Sequence, residues 1–195
     1  MSHGILIPLQ IAATNIDSWT RSAVTTATEV DNGNIVKLTT YGVATGQAEV
    51  WTAVTPSTGD GLTNLWMVYE PELVWTGSYR GLDPDVRNFS VAATRVFSVF
   101  SPQLGDLLRM TADNLVTGTG AALGSFAIAT NSTGGLKPVW TSGWTSGTAV
   151  FAMKCTSITS YISIGTGAID SQRIASYDFE VVHLKFGQHI IKEEN

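Results

Sequence analysis

Between Arg95 and Leu115 the chain reads RVFSVFSPQLGDLLRMTADNL, and this stretch limits the fold more tightly than any other. Val96-Phe97-Ser98-Val99-Phe100 leads in and Leu107-Leu108-Arg109-Met110-Thr111 leads out. The incoming run is rich in β-branched and aromatic side chains, which suit a half-buried strand. Pro102 to Asp106 turns between the two runs. Gly105 supplies a positive φ there, and Asp106 supplies local hydrogen bonding. The stretch therefore predicts two strands of a β core joined as a hairpin. None of its residues is of a kind selected for reaction chemistry.

Short apolar runs and turn signals continue to alternate along the rest of the chain. Asp31-Asn32-Gly33-Asn34 is a strong turn signal, followed by a strand over Ile35–Thr40. Further strands are expected over Ala48–Val54, Leu62–Tyr69, Ser125–Thr130, Leu136–Trp140, Ala149–Cys155, Ser157–Ile164 and Tyr177–Phe186. Leu62–Tyr69 is apolar on both faces, which predicts a central strand. In Tyr177–Phe186 the apolar face shifts between Val181 and Val182, which predicts a bulge or burial on both faces. Asp83-Pro84 offers an N-cap and a first helical residue, so one short helix is expected there. The recurrence at roughly 8–12 residues predicts an all-β fold, a barrel or sandwich of short antiparallel strands.

Met1 to Gln10 alternates Ile5, Ile7, Leu9 and Ile11 against Leu6, Pro8 and Gln10, with Pro8 confining it to an edge or to non-sheet structure. An apolar extended segment has to cover something: it is either a first strand of its own core or an arm laid on a neighbour. The expected organisation is an N-terminal arm and lead-in segment over residues 1–33, then one core domain over residues 34–195. No linker divides that core.

Composition narrows the function classes. Charged residues make up only 14% of the chain and hydrophobic residues 44%, so its surface is either partner-covered or solvated by hydroxyls. The net charge of −5 and the lack of any Lys/Arg run argue against nucleic acid as a partner. Cys155 is the single cysteine, which precludes an intrachain disulfide, and its apolar setting reads as a buried inert thiol. The opening MSHGILIPLQI lacks the basic leader of a signal peptide, and no apolar run approaches a membrane span. A soluble protein made in the cytoplasm is expected, with no membrane partner.

Catalytic groups are sparse. His3, His183 and His189 do not form a metal motif, and no G-x-S-x-G elbow occurs. Glu70/Glu72, Asp83/Asp85 and Asp178/Glu180 are paired carboxylates with the i, i+2 spacing that shares one strand face, as in a glycosidase pair. Each pair borders a turn or strand end, where carboxylates solvate and cap. The expectation is a protein with no catalytic residues, no metal site and no cofactor. Trp140 and Trp144 stand in a tandem Trp-Thr-Ser-Gly repeat and offer a platform for stacking a sugar ring; the competing reading is a hairpin whose tryptophans cover the core edge.

The order Arg95-x-Phe97-x-Val99, then Gly105-Asp106, then an apolar run ending at Thr111, resembles a group of tailed-phage capsid decoration (cement) proteins. Asn34–Leu38 is similar to that family's opening strand after an Asn-Gly turn. Trp51 to Asp60, ending Thr55-Pro56-Ser57-Thr58-Gly59-Asp60, is similar to its "TPxTGD" loop. Leu65–Pro71, Asn88-Phe89, Gly143–Met153 and Phe179–Leu184 match further segments in order, so the resemblance spans residues 34–185. The chain departs from the pattern over residues 1–33 and 79–85 and in its low charge.

The resemblance implies a non-enzymatic virion protein on the outer surface of a phage capsid. It would bind across major capsid protein subunits, as a homo-oligomer with a trimer favoured. On that reading Ile5, Leu6, Ile7, Leu9 and Ile11 would add a strand to a neighbour's exposed edge. Two alternatives stand beside it: a carbohydrate-binding β-sandwich on the virion surface for host attachment, using Trp140 and Trp144, and a tail-tube or connector subunit.

Overall fold

The computed structural model describes residues 3–42, 49–56, 65–71, 89–116, 122–129, 136–143, 151–164 and 171–184. The fold is all-β. Its strands are β1 (Leu6–Gln10), β2 (Thr20–Val24), β3 (Ile35–Tyr41), β4 (Trp51–Val54), β5 (Leu65–Val68), β6 (Val96–Phe100), β7 (Leu107–Thr111), β8 (Phe126–Ile128), β9 (Val139–Thr141), β10 (Phe151–Ile164) and β11 (Ser171–Leu184). Strands β2-β4-β3-β5-β6 close into a small barrel, and β1-β7-β11-β10-β8-β9 form a six-stranded sheet. Among the described residues the helical segments are short 3-10 turns at Ala12–Asn15, Asp17–Trp19 and Ala112–Asn114. None of the described helices is long and apolar enough to cross a membrane. The helix expected from Asp83 lies outside the described residues.

Strand β5 shows why the two systems adhere. All four of its residues are buried, as its doubly apolar sequence predicts. Side chains alternate across a strand. Trp66 and Val68 therefore enter the barrel's own core with Val36, Leu38, Phe97 and Val99. Leu65 and Met67 point the other way, into a second core shared with the sheet, where they join Leu108, Met110, Met153 and Phe179. The barrel wall thus serves as one layer of a sandwich and the six-stranded sheet as the other.

The stretch from Arg95 to Leu115 corrects one expectation. It does contain two strands, but they are not a hairpin. β6 pairs with β2 and β5 in the barrel, whereas β7 pairs with β1 and β11 in the sheet. The intervening turn is a crossover between layers. Asp106 holds it: one carboxylate oxygen accepts from Gln103 N (2.8 Å) and the other from Ala12 N (2.9 Å). Gly105, at φ +85°, takes the left-handed position, and its N–H donates to Val181 O. These bonds to β11 and to the segment after β1 carry the chain away from β6.

The Asp31–Asn34 turn is a second junction. Asn32 exchanges two bonds with the Glu70 backbone, Nδ2 donating at 2.9 Å and Oδ1 accepting at 2.8 Å. Asn114 Nδ2 donates to Asn32 O at 2.6 Å from the sheet side. Asp31 accepts from Gly4 N, and its other carboxylate oxygen lies 2.8 Å from His3 Nδ1. A turn that looks local in sequence therefore ties β1, β5 and the segment after β7 together.

Of the two readings of the N-terminal apolar segment, the pairing fits a first strand of the protein's own core. β1 is an edge strand of the sheet, in register with β7 from Leu6↔Met110 to Gln10↔Leu107 with a break in register at Pro8/Gln10. Pro8 is thereby confined to an edge strand, as its missing N–H requires. β2, in a segment for which the sequence predicts no strand, is a barrel stave antiparallel to β6 and parallel to β4.

The C-terminal strands are longer than the sequence suggests. The strands expected over Ala149–Cys155 and Ser157–Ile164 are one 14-residue strand, β10, antiparallel to a 14-residue β11. Cys155 pairs with Phe179 and Ser157 with Asp178, so Thr156 is an extra residue and β10 bulges there. Across the ladder Ala152 pairs with His183 and Met153 with Val181, leaving Val182 as the extra residue on β11. That second bulge lies where the apolar face of the sequence shifts.

Candidate functional site

The residues expected to grip a neighbour lie mostly inside the fold. Ile5 and Leu6 are each 1% exposed and Ile11 6%, packed by β7 and the shared core. Ile5 N donates to Thr111 Oγ1 at 3.0 Å. The side chains of these three are buried in the protein's own fold rather than exposed to a neighbour. Ile7 is half-buried, and Leu9 is 45% exposed.

Trp140 is likewise removed from a sugar-stacking role. It is 3% exposed, with its ring centroid 5.0 Å from that of Tyr177 and 5.4 Å from that of Phe179. It therefore packs the core, as the competing reading held. Trp144 lies outside the described residues.

Of the three carboxylate pairs, Asp178/Glu180 lies wholly within the described residues. Asp178 faces Arg109 across β7 and β11 and receives a two-pronged ion pair, Nε to Oδ1 at 2.6 Å and Nη2 to Oδ2 at 2.9 Å. These bonds hold the Arg109 guanidinium above its ordinary value. Glu180 lies opposite Lys154 in the ladder. Glu70 Oε2 accepts from Ser98 N at 2.8 Å. Glu72, Asp83, Asp85 and His189 lie outside the described residues. Cys155 is 1% exposed, and burial pushes its thiol above the usual range. Among the described residues no cluster of three His, Cys, Asp or Glu side chains has a metal-binding arrangement.

Two features remain. The first is the β10–β11 ribbon. β7 covers β11 only from Ser176 to Glu180, and β8 covers β10 only from Ala152 to Lys154. Beyond these, Ser160–Ile164 and Ser171–Ala175 pair only with each other among the described residues. At about 3.3 Å per residue this outer ladder extends roughly 17 Å past the strands that flank its base.

The second is an open groove of 630 Å³ at one end of the barrel. Arg21 is near the start of β2, and its guanidinium carbon lies 4.8 Å from the Trp51 ring centroid and 4.9 Å from that of Trp66. Tyr41 is the cross-strand partner of Trp51, with ring centroids 5.1 Å apart, and is 54% exposed. Glu49 adds a carboxylate, and Ser22 and Ser98, paired across β2 and β6, line the groove's margin. Residues 21, 41 and 51 carry no common motif. The parallel β2–β4 pairing and the antiparallel β3–β4 pairing bring them together, which sequence reasoning could not foresee.

Comparison with known protein families, with curated proteins and with solved structures found no match for this chain.

Proposed function

We propose that this chain is a non-enzymatic structural protein of a phage virion, binding across major capsid protein subunits on the capsid exterior as a homo-oligomer. The order of motifs from Asn34 to Lys185 suggested that family, and the β10–β11 ribbon is the observation that carries the reading further. A clamp needs a stiff element that reaches beyond its own core, and a continuous two-stranded ladder is such an element. Its described exposed side chains suit a seam between subunits: Ser160 and Ala175, cross-strand partners at the start of the outer ladder, are hydroxyl-bearing and apolar. The contact that residues 5–11 were expected to make passes to this ribbon, because β1 is already part of the protein's own sheet.

The test shortens the ribbon. Residues 160–175 are replaced by a two-residue Asn-Gly turn, which closes the ladder where β7 still supports β11. Circular dichroism establishes that the core is retained, and co-sedimentation with expanded heads of the source phage measures binding. Loss of binding by a folded, shortened protein is expected. Undiminished binding would refute the role of the ribbon.

A further inference from the structure

We propose that the groove at the barrel end is a binding site for a neutral saccharide, separate from any capsid contact. It does not rest on the capsid reading. Sugar rings are recognised by two things together: an aromatic face for their C–H groups, and charged or hydroxyl groups that both donate to and accept from adjacent ring hydroxyls. Both are present. Tyr41, more than half exposed, and Trp51 meet at a tilt of 51° and form a bent aromatic wall. Arg21 rests its guanidinium against both Trp51 and Trp66, at 4.8 and 4.9 Å from their ring centroids, and brings N–H donors to the groove. Glu49 accepts.

The charge balance selects the ligand class. Arg21 and Glu49 contribute one charge of each sign, so the groove offers no net field to an anionic ligand. An uncharged ring with vicinal hydroxyls uses both groups, whereas a uronate or sialate gains from Arg21 no more than it loses to Glu49. At 630 Å³ and open on one side, the groove has room for a small saccharide whose chain continues into solvent. The site also differs in kind from the Trp140/Trp144 platform, where the one tryptophan described is buried.

The experiment follows intrinsic tryptophan fluorescence, with Trp51 as reporter, during titration of the intact chain. The probes are glucose, galactose, mannose and N-acetylglucosamine, each as the monosaccharide and as a linear tetramer. Galacturonate and sialate form the acidic arm. Saturable binding of at least one neutral probe is expected. Tyr41→Ala and Glu49→Gln, both at exposed positions, are each expected to weaken it at least tenfold with the melting temperature unchanged. Absence of binding to every neutral probe overturns the proposal, as does neutral binding that survives both substitutions. Binding confined to the acidic probes and strengthened by Glu49→Gln also overturns it and identifies an acidic ligand.

Discussion

The sharpest test of the integrated N-terminus is one methyl group. A Cβ added to Gly4 would lie 1.9 Å from Asn114 Oδ1 and 2.3 Å from Asn114 Cγ, far inside van der Waals contact. Asn114 is fully buried and cannot swing into solvent. Gly4→Ala therefore forces Asn114 to give up its 2.6 Å bond to Asn32 O. Overpacking of a tight site costs about 1–3 kcal/mol. A buried amide donor on Asn114 left without its acceptor adds about 1–3 kcal/mol. Alanine's smaller unfolded-state entropy returns less than about 1 kcal/mol. The expected net loss is about 3–4 kcal/mol, a large part of the roughly 5–15 kcal/mol that a domain has. With a urea slope near 2 kcal/mol per molar, the denaturation midpoint falls by about 2 M. Asn114→Ala on its own costs about 2 kcal/mol through the same lost bond. In that background the methyl group has room, so Gly4→Ala then costs less than about 1 kcal/mol, which gives strong coupling between the two positions. A single-mutant loss under about 1 kcal/mol, or an equal loss in both backgrounds, would refute the placement of residue 4 against the sheet.

Three further outcomes follow from the packing. Deleting residues 1–11 removes β1 with Ile5, Leu6 and Ile11, each worth about 1.5–3 kcal/mol of burial, so circular dichroism and size exclusion should report an unfolded or aggregated chain rather than a trimmed, folded one. Trp140→Ala should cost about 3–5 kcal/mol in urea unfolding; Trp140→Phe should cost much less, because the indole N–H it removes has no hydrogen-bond partner among the described residues. Cys155 should resist a disulfide reagent at pH 8 and react at once in urea, because burial raises its folded pKa. The sign follows by linkage: the neutral thiol's contribution is intact below the ordinary thiol value and is lost as pH climbs above it, since the unfolded thiol ionises first.

What the sequence revealed was strand content, and what it concealed was which strands meet. β5 was legible as central because both its faces are apolar, and the bulge at Val182 was legible as a phase shift in the pattern. The break at Thr156 looked like the end of a strand, because one unpaired residue interrupts alternation just as a short loop does. β6 and β7 looked like a hairpin because turn chemistry is local, whereas the bonds that send them to different layers come from Ala12 and Val181, distant in sequence. β2 was missed because three of its five residues are exposed and lack an apolar alternation. The candidate groove was invisible for a related reason: Arg21 and Trp51 share no spacing rule, only a parallel pairing of two strands. Trp140 misled in the opposite way, since a Gly/Ser/Thr-rich neighbourhood suggests a surface while its side chain fills the core.

The pairing of β1 with β7 has a consequence for the order in which the molecule assembles. Ile5 N and its acceptor Thr111 Oγ1 are 106 residues apart in the chain, and β2 finds β6 only at Phe97 and its neighbours. During synthesis the apolar segment from Ile5 to Ile11 emerges early and remains without its partner until more than half the chain has followed. Closing loops of that length before any contact is made slows the search and exposes strand edges meanwhile. Refolding should accordingly be slow for a chain of this size, with β1 docking last. Pulse-labelled hydrogen exchange would show it as late protection of Leu6 and Ile7 relative to β10 and β11.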